Sequence, residues 1–346
     1  MTVYIHAASS INLQRSLSSI STSIVEPSLA IAEIALSSPR MERFVYVSTA
    51  YANAHLHNLH DGIDTVISEK IYPLRPGDGD STELEYGDLR ASSDPPEYRF
   101  YNFPFAYTYA KHLTERLLLR RFTAQERASS LLILRPSIIG PALQEPYPYY
   151  EIPGSAPATS FLAAVIPTLS MRMSFASRFP DPFNQSNFDE VPVDIVVNRL
   201  LMHVSRRSSG IVHAVAGKAA RRSFAELWTG AMTERKLPWS PRLVWHKDLD
   251  WRDRSLHPIA RLFVILGTSY VFEAEATEEL WGEMDEAERE MFPLWLRNLE
   301  QNGDRVMRRA AFTSLVRRYF VKKKLPSIFL QFLIRESIGA SLVKII

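Results

Sequence analysis

The chain has 346 residues, 46% of them hydrophobic and 23% charged, values that exclude a disordered, collagen-like or coiled-coil protein and leave room for two domains. Forty basic against thirty-eight acidic residues leave a formal charge of +2, too even for a chain devoted to nucleic acid. Without a cysteine there is no disulfide, no thiolate nucleophile and no cysteine-ligated metal, which fits a reducing, intracellular setting.

The segment from Met1 to Ser10 lacks the basic start and continuous apolar stretch of a secretory leader, so no export is expected. Within it Val3 to Ala8 is a short β-rich run. Ile24 to Ala35 repeats apolar residues at helical spacing, with Pro27 in its first turn, and Arg43 to Ser48 is a compact apolar run of strand type. Asn53 to Pro104 is a long polar excursion of the kind that carries function. Tyr107 to Phe122 is predicted as a helix. Leu131 to Pro136 is predicted as a buried strand that the proline ends, and Ile211 to Val215 as another strand. Leu262 to Phe272 is apolar but only about half of the roughly 20 residues a bilayer-crossing helix needs, so it is expected to be buried. From about Arg221 the sequence turns rich in tryptophan and charge, with helices expected over Thr277 to Gln301 and Arg305 to Phe320.

Strands alternating with helices imply βαβ units and a parallel sheet. The expected fold class is α/β, an incomplete doubly wound sheet in a domain over 1–225, followed by a helical region over 226–346.

Tyr107 and Lys111 fall one turn apart on one helix face, where an ammonium would favour phenolate and draw the tyrosine toward the working range of a general acid or base. Tyr-x-x-x-Lys alone is a weak signal in a chain with 14 tyrosines, and its context decides. That context is Ser48-Thr49, closing one strand, and Pro136, closing another. Parallel sheets place their sites at such carboxyl ends. A hydroxyl there could donate to a carbonyl oxygen held by Tyr107. His55, His57 and His60 suggest metal ligation at first sight, but their spacing matches no zinc pattern, and a solvated loop without metal is expected.

Four passages resemble the extended short-chain dehydrogenase/reductase group, and within it the fatty acyl-CoA reductases with their male-sterility-type domain. They are Ile5 to Ala8, Phe44 to Asn53, Tyr107 to Arg116, and Leu134 to Pro141 with Glu145-Pro146. A fifth, Asp189 to Asn198, is similar to a motif late in that domain. The resemblance implies a thioester reductase using NADPH on an acyl-CoA, with aldehyde or alcohol as product. It implies that Thr49 with Ser48 holds the developing oxyanion, that Tyr107 protonates it, and that Lys111 both lowers the tyrosine pKa and bonds the nicotinamide ribose. Ala7 and Ala8 would line the adenosine side, and backbone at Pro136, Ser137 and Ile138 would meet the nicotinamide. Of the two hydroxyls, Thr49 is the expected catalytic one.

The sequence also departs from that family. A dinucleotide fold seats pyrophosphate on a glycine-rich turn at a helix amino terminus, yet the first glycine here is Gly62. The family's first strands and phosphate turn are expected upstream of Val3, which leaves Val3 to Ala7 as an apolar sheet edge and makes NADPH binding by this polypeptide weak or absent. Gly77 and Gly79 lie among acidic residues and cannot substitute. Where the family has an Asn and then a Gly ahead of the Ser-Thr strand, this chain has Ile24 and Pro27.

Arg305 to Lys324 is basic, with apolar residues at helical spacing, and Leu325 to Ile346 is largely apolar. A solvated helix is the default, and peripheral contact of 305–346 with an anionic membrane surface is the alternative. Two other functions stay open: a carrier-protein thioester reductase or sterol-type dehydrogenase on the same scaffold, and a non-catalytic relative that binds lipid, membrane or a partner.

Overall fold

The computed structural model describes residues 2–59, 61–74, 80–152, 154–247 and 249–296. His60, Gly77, Gly79, the expected helix end at Gln301 and everything proposed for 305–346 lie outside the described residues.

In chain order the strands are β1 (Val3–His6), β2 (Arg43–Val47), β3 (Thr65–Ile67), β4 (Leu131–Pro136), β5 (Ile138–Gly140), β6 (Arg172–Ala176), β7 (Asn187–Phe188), β8 (Glu190–Pro192), β9 (Gly210–Ala214), β10 (Arg222–Ser223), β11 (Arg242–His246) and β12 (Tyr270–Phe272). They distribute over two compact units that interleave along the chain. One comprises Met1–Ser137, Val197–Gly217 and Tyr270–Leu294, the other Ile138–Val196 and Lys218–Ser269 together with Trp295 and Leu296.

The first unit holds a four-stranded sheet in the order β1-β2-β4-β9, and every pairing in it is parallel. The register sets Tyr46 beside His6, Val47 beside Leu134, and Pro136 beside Ala214, so the carboxyl ends of all four strands form one edge. Phe44, Tyr46, Leu131 and Ile133 point to one face and pack in a buried cluster with two helices. The alternate residues Val45, Leu132, Leu134 and Val212 are also buried, which explains why these strands read as continuous apolar runs rather than alternating ones. β1 is the outer strand, and its Ile5 is 47% exposed, as an apolar edge would be.

The first helix begins earlier than Ile24. Ser16 caps an α-turn at Leu17–Ile20, Ser21–Val25 widens to a π-helix, and Glu26–Leu36 returns to α. The wide turn stands directly ahead of Pro27, where the missing N–H and the ring would otherwise break the ladder. This run has the length and mean hydropathy (1.3) to cross a membrane. Ile20, Ile24, Val25, Ala32 and Ala35 are instead buried in the same cluster as Leu113, Leu117 and Leu118 of the second helix, Ala106–Ala124.

Among its described residues, the polar excursion is ordered rather than open. It contains a 3-10 helix (Ala50–Leu59), β3 paired in parallel with β12, and the helix Thr82–Arg90. Buried Glu85 ties it to the long helix, accepting from Arg116 at 2.7 and 2.8 Å and from the Tyr109 hydroxyl at 2.6 Å. Between Leu262 and Phe272, Val264, Leu266, Tyr270 and Phe272 are buried. The expected helix from Thr277 is Glu275–Glu283 followed by Glu286–Met291, broken by Asp285, which caps the second piece.

The second unit is built from short pairings: β6 with β11 and β5 with β8 in parallel, and β7 with β10 antiparallel. The region after residue 226 therefore contributes β11 and β12 as well as helices.

Candidate active site

Helix Ala106–Ala124 returns antiparallel to the strands, so its first turns lie at the carboxyl edge of the sheet. Tyr107, Lys111 and Glu115 follow at intervals of four and share one face. The Lys111 ammonium donates to the Val47 carbonyl at 2.8 Å and sits 4.7 Å above the Tyr46 ring. The Ser48 amide donates to Leu134 O at 2.7 Å, and the Thr49 hydroxyl to Pro136 O at 3.4 Å. The structure thus brings Ser48, Thr49, Tyr107, Lys111 and Pro136 together at the ends of β2 and β4.

The two hydroxyls differ. Ser48 Oγ donates to the Glu115 carboxylate at 2.5 Å, a short charge-assisted bond that commits its proton. Thr49 Oγ1 makes a long bond to the neutral Pro136 carbonyl, accepts from the Tyr51 amide at 3.3 Å and is in side-chain hydrogen-bond contact with the Tyr107 hydroxyl, so it is coupled to Tyr107 where Ser48 is coupled to a carboxylate.

Tyr107 departs from expectation. Burial pushes its hydroxyl up to about 12, against the opposing side-chain contact with Thr49. The expected depression by Lys111 is not seen, because the ammonium faces Val47 O and the Tyr46 ring and lies 6.0 Å from the centre of the Tyr107 ring. Burial also pulls Lys111 down to about 7, with the Glu115 carboxylate holding it up, so near neutrality the amine is shared between its charged and neutral forms.

Two residues at this site carry no signal strong enough to assign them a role from sequence. Glu115 accepts from Arg135 Nε at 3.0 and 3.2 Å and from Nη2 at 2.5 Å, and both side chains are fully buried. Arg135 Nη1 reaches Lys70 O at 3.0 Å. The available signals were the four-residue step from Lys111 to Glu115 and an arginine inside an otherwise apolar strand.

The residues expected around the cofactor divide. Ala7 and Ala8 are exposed just past β1, one strand over from the end of β2. Ser137 is buried and its amide donates to Ala214 O at 3.1 Å. Ile138 opens β5 in the second unit, where its amide donates to Asp189 O. A nicotinamide and its ribose fit the chemistry of the Thr49, Tyr107 and Lys111 donors. Residues 7–15 after β1 contain no glycine, so this turn is not a glycine-rich pyrophosphate cradle.

The model of the NAD-binding family described as "Male sterility protein" matches residues 1–200, more than half of the chain. The chain belongs to that family. Among curated relatives of this male sterility family member, fatty acyl-CoA reductase 1 of Xenopus laevis is 30% identical over 203 residues, 58% of this chain and 35% of that protein. Human fatty acyl-CoA reductase 2 is 30% identical over 171 residues, 47% of this chain and 28% of that protein. The match thus spans about a third of the curated relatives' length. Solved structures with a similar fold include MoeE5 in complex with UDP-glucose and NAD (TM-score 0.49, 17% identity, 92% of this chain and 80% of that one). Another is the terminal R domain of the myxalamid PKS-NRPS pathway (TM-score 0.47, 16% identity, 81% and 62%).

Ile24, where the resemblance would place an Asn, is buried in the apolar cluster. His55 and His57 are not in a solvated loop, each being 2% exposed. His55 stacks 4.3 Å from Phe103, and burial pulls it down to about 3, while His57 bonds Thr65. No cluster of three metal-ligating side chains occurs among the described residues. In the late motif, the Asp194 carboxylate accepts the amides of Leu143, Gln144, Glu145 and Ile195 at 2.7–3.2 Å, fixing the loop that carries Glu145-Pro146.

Proposed function

We propose that this chain carries the hydride-acceptor face of an NADPH-dependent reductase of fatty acyl-CoA thioesters, yielding aldehyde and, with a second reduction, alcohol. The convergence of Thr49, Tyr107 and Lys111 at one strand edge, inside the span that matches the family, carries this reading. The names of the relatives supply the substrate class.

The chemistry a reduced nicotinamide would supply here is a hydride for the acyl carbon. The protein's part is to receive the charge that then develops on the carbonyl oxygen. Thr49, engaged with the neutral Pro136 carbonyl and the Tyr107 hydroxyl, turns to that oxygen as a donor. Tyr107, held near 12, is a full proton donor at neutral pH rather than a base, so it serves reduction: its proton goes to the oxygen as the carbon–oxygen double bond becomes single. Lys111, poised near 7, can return a proton to the phenolate and offers N–H donors to a ribose. Expulsion of the thiol from the resulting hemithioacetal leaves the aldehyde. Ala7 and Ala8, exposed just past β1, would leave an adenosine room.

The test is acyl-CoA-dependent oxidation of NADPH at high cofactor concentration. Wild type should turn over, and Tyr107→Phe should lose on the order of 10²–10⁴ in kcat, the usual worth of a positioned general acid, with cofactor affinity within about twofold. Full activity in Tyr107→Phe, or none in wild type at any cofactor concentration, defeats the proposal.

A further inference from the structure

Glu115 follows Lys111 by one helical turn and is fully buried, with its carboxylate on Ser48 and Arg135. That carboxylate gathers the site. It takes the Ser48 proton at 2.5 Å from the end of β2, and it is gripped by Arg135 Nε and Nη2 from β4. Its own helix delivers Lys111 to Val47 O, the residue before Ser48. A fully buried ion pair is weak support for stability, because apolar side chains of similar size commonly serve as well or better. Two buried charges directly under a reactive strand end therefore call for another role.

We propose that Glu115 is a positioning residue: it captures the Ser48 proton, ties the end of β2 to the Tyr107 helix, and so leaves Thr49 as the donor toward a substrate oxygen. The inference rests on the reductase reading given above and deepens it. Ser48 becomes part of the scaffold, and the division of labour between adjacent hydroxyls follows from one carboxylate. The same charge acts on Lys111. The groups facing that amine are Glu115 and Tyr107 on its own helix, Tyr46 on β2 and His6 on β1, with Arg135 on β4 reaching Glu115. Of these, Glu115 opposes the effect of burial.

Two variants separate positioning from mere structure. Glu115→Gln keeps the shape and removes the charge. Glu115→Leu combined with Arg135→Met removes both charges, so that neither is left buried alone if the single variant folds poorly. The first readout uses chain labelled with 13C at lysine side chains, with no cofactor or substrate, and follows the Lys111 titration by NMR. In both variants the midpoint should fall by about one pH unit or more, since an opposite charge nearby has been lost. The second readout is turnover: kcat should fall about tenfold or more in both, with KM for acyl-CoA within about twofold. A double variant with the wild-type Lys111 midpoint and wild-type kcat makes the pair structural and overturns the proposal. So does a loss confined to KM. If wild type itself fails to oxidise NADPH with acyl-CoA, the reductase reading falls, while the titration still reports whether Glu115 governs Lys111.

Discussion

Lys111→Met replaces the buried ammonium with an uncharged chain of similar length, and its effect on stability should depend on pH in a defined way. The side chain is 1% exposed, and burial moves its titration from 10.5 to about 7. Between these values the unfolded chain holds a proton that the folded chain has shed, so stability rises with pH through that window. The penalty is complete below the folded value and gone above the unfolded one. Integrated from pH 6 to pH 9, the lysine's contribution changes by about 3 kcal/mol. Urea unfolding of wild type and variant, at pH 6, 7.5 and 9, isolates this change, because other titrating groups cancel in the difference. Relative to wild type, Lys111→Met should be more favourable at pH 6 than at pH 9 by that amount. A difference that stays constant across the range would show that the amine titrates near its ordinary value in the folded protein and is not desolvated, which removes the basis for treating it as a proton reservoir.

Other perturbations have signs fixed by the same structure. His55 is buried and neutral down to about pH 3, so below its ordinary value of 6.5 the unfolded state gains a proton that the folded state refuses; acid should destabilise the fold through this residue by up to about 5 kcal/mol, and His55→Phe should lower the acid-unfolding midpoint followed by circular dichroism. Asp194→Ala strands the amides of Leu143, Gln144 and Glu145, and should cost about 1–3 kcal/mol and speed hydrogen exchange at those three amides. At Gly267 a Cβ would be driven into the Ala176 backbone carbonyl, so Gly267→Ala should cost more than about 3 kcal/mol, visible as a lowered Tm, whereas Gly230→Ala, which meets nothing, should be close to neutral or stabilising.

The parts legible in sequence were those where local pattern and tertiary role agree. The runs Arg43 to Ser48, Leu131 to Pro136 and Ile211 to Val215 match β2, β4 and β9, because strands buried on both faces need continuous apolar sequence. The helix from Tyr107 was clear from its periodicity. Its partner was placed seven residues too late, since the Ser-rich stretch before Ile24 hides a helical turn that Ser16 caps and Pro27 forces to widen. The meeting of Ser48-Thr49, Tyr107 and Pro136 followed from strand ends and chain order. What stayed hidden was decided by partners distant in sequence. Nothing local shows that Arg135 meets Glu115, that the histidines of the excursion bury against Phe103 and Thr65, or that Lys111 turns to Val47 O instead of the Tyr107 hydroxyl. The expected direction of the tyrosine shift was wrong for that reason: spacing fixes which face two residues share, and burial then decides which protonation state each prefers.

The most direct measurement traces the label from the cofactor into the product. Incubating the chain with palmitoyl-CoA and NADPH deuterated at the transferable C4 position, then analysing the products by mass spectrometry, should give aldehyde with one deuterium at C1, or alcohol with two, formed at least about a hundredfold more slowly in Tyr107→Phe. Free fatty acid alone, or reduced product without deuterium at C1, would contradict hydride delivery to an acyl carbon at the edge where Thr49, Tyr107 and Lys111 meet.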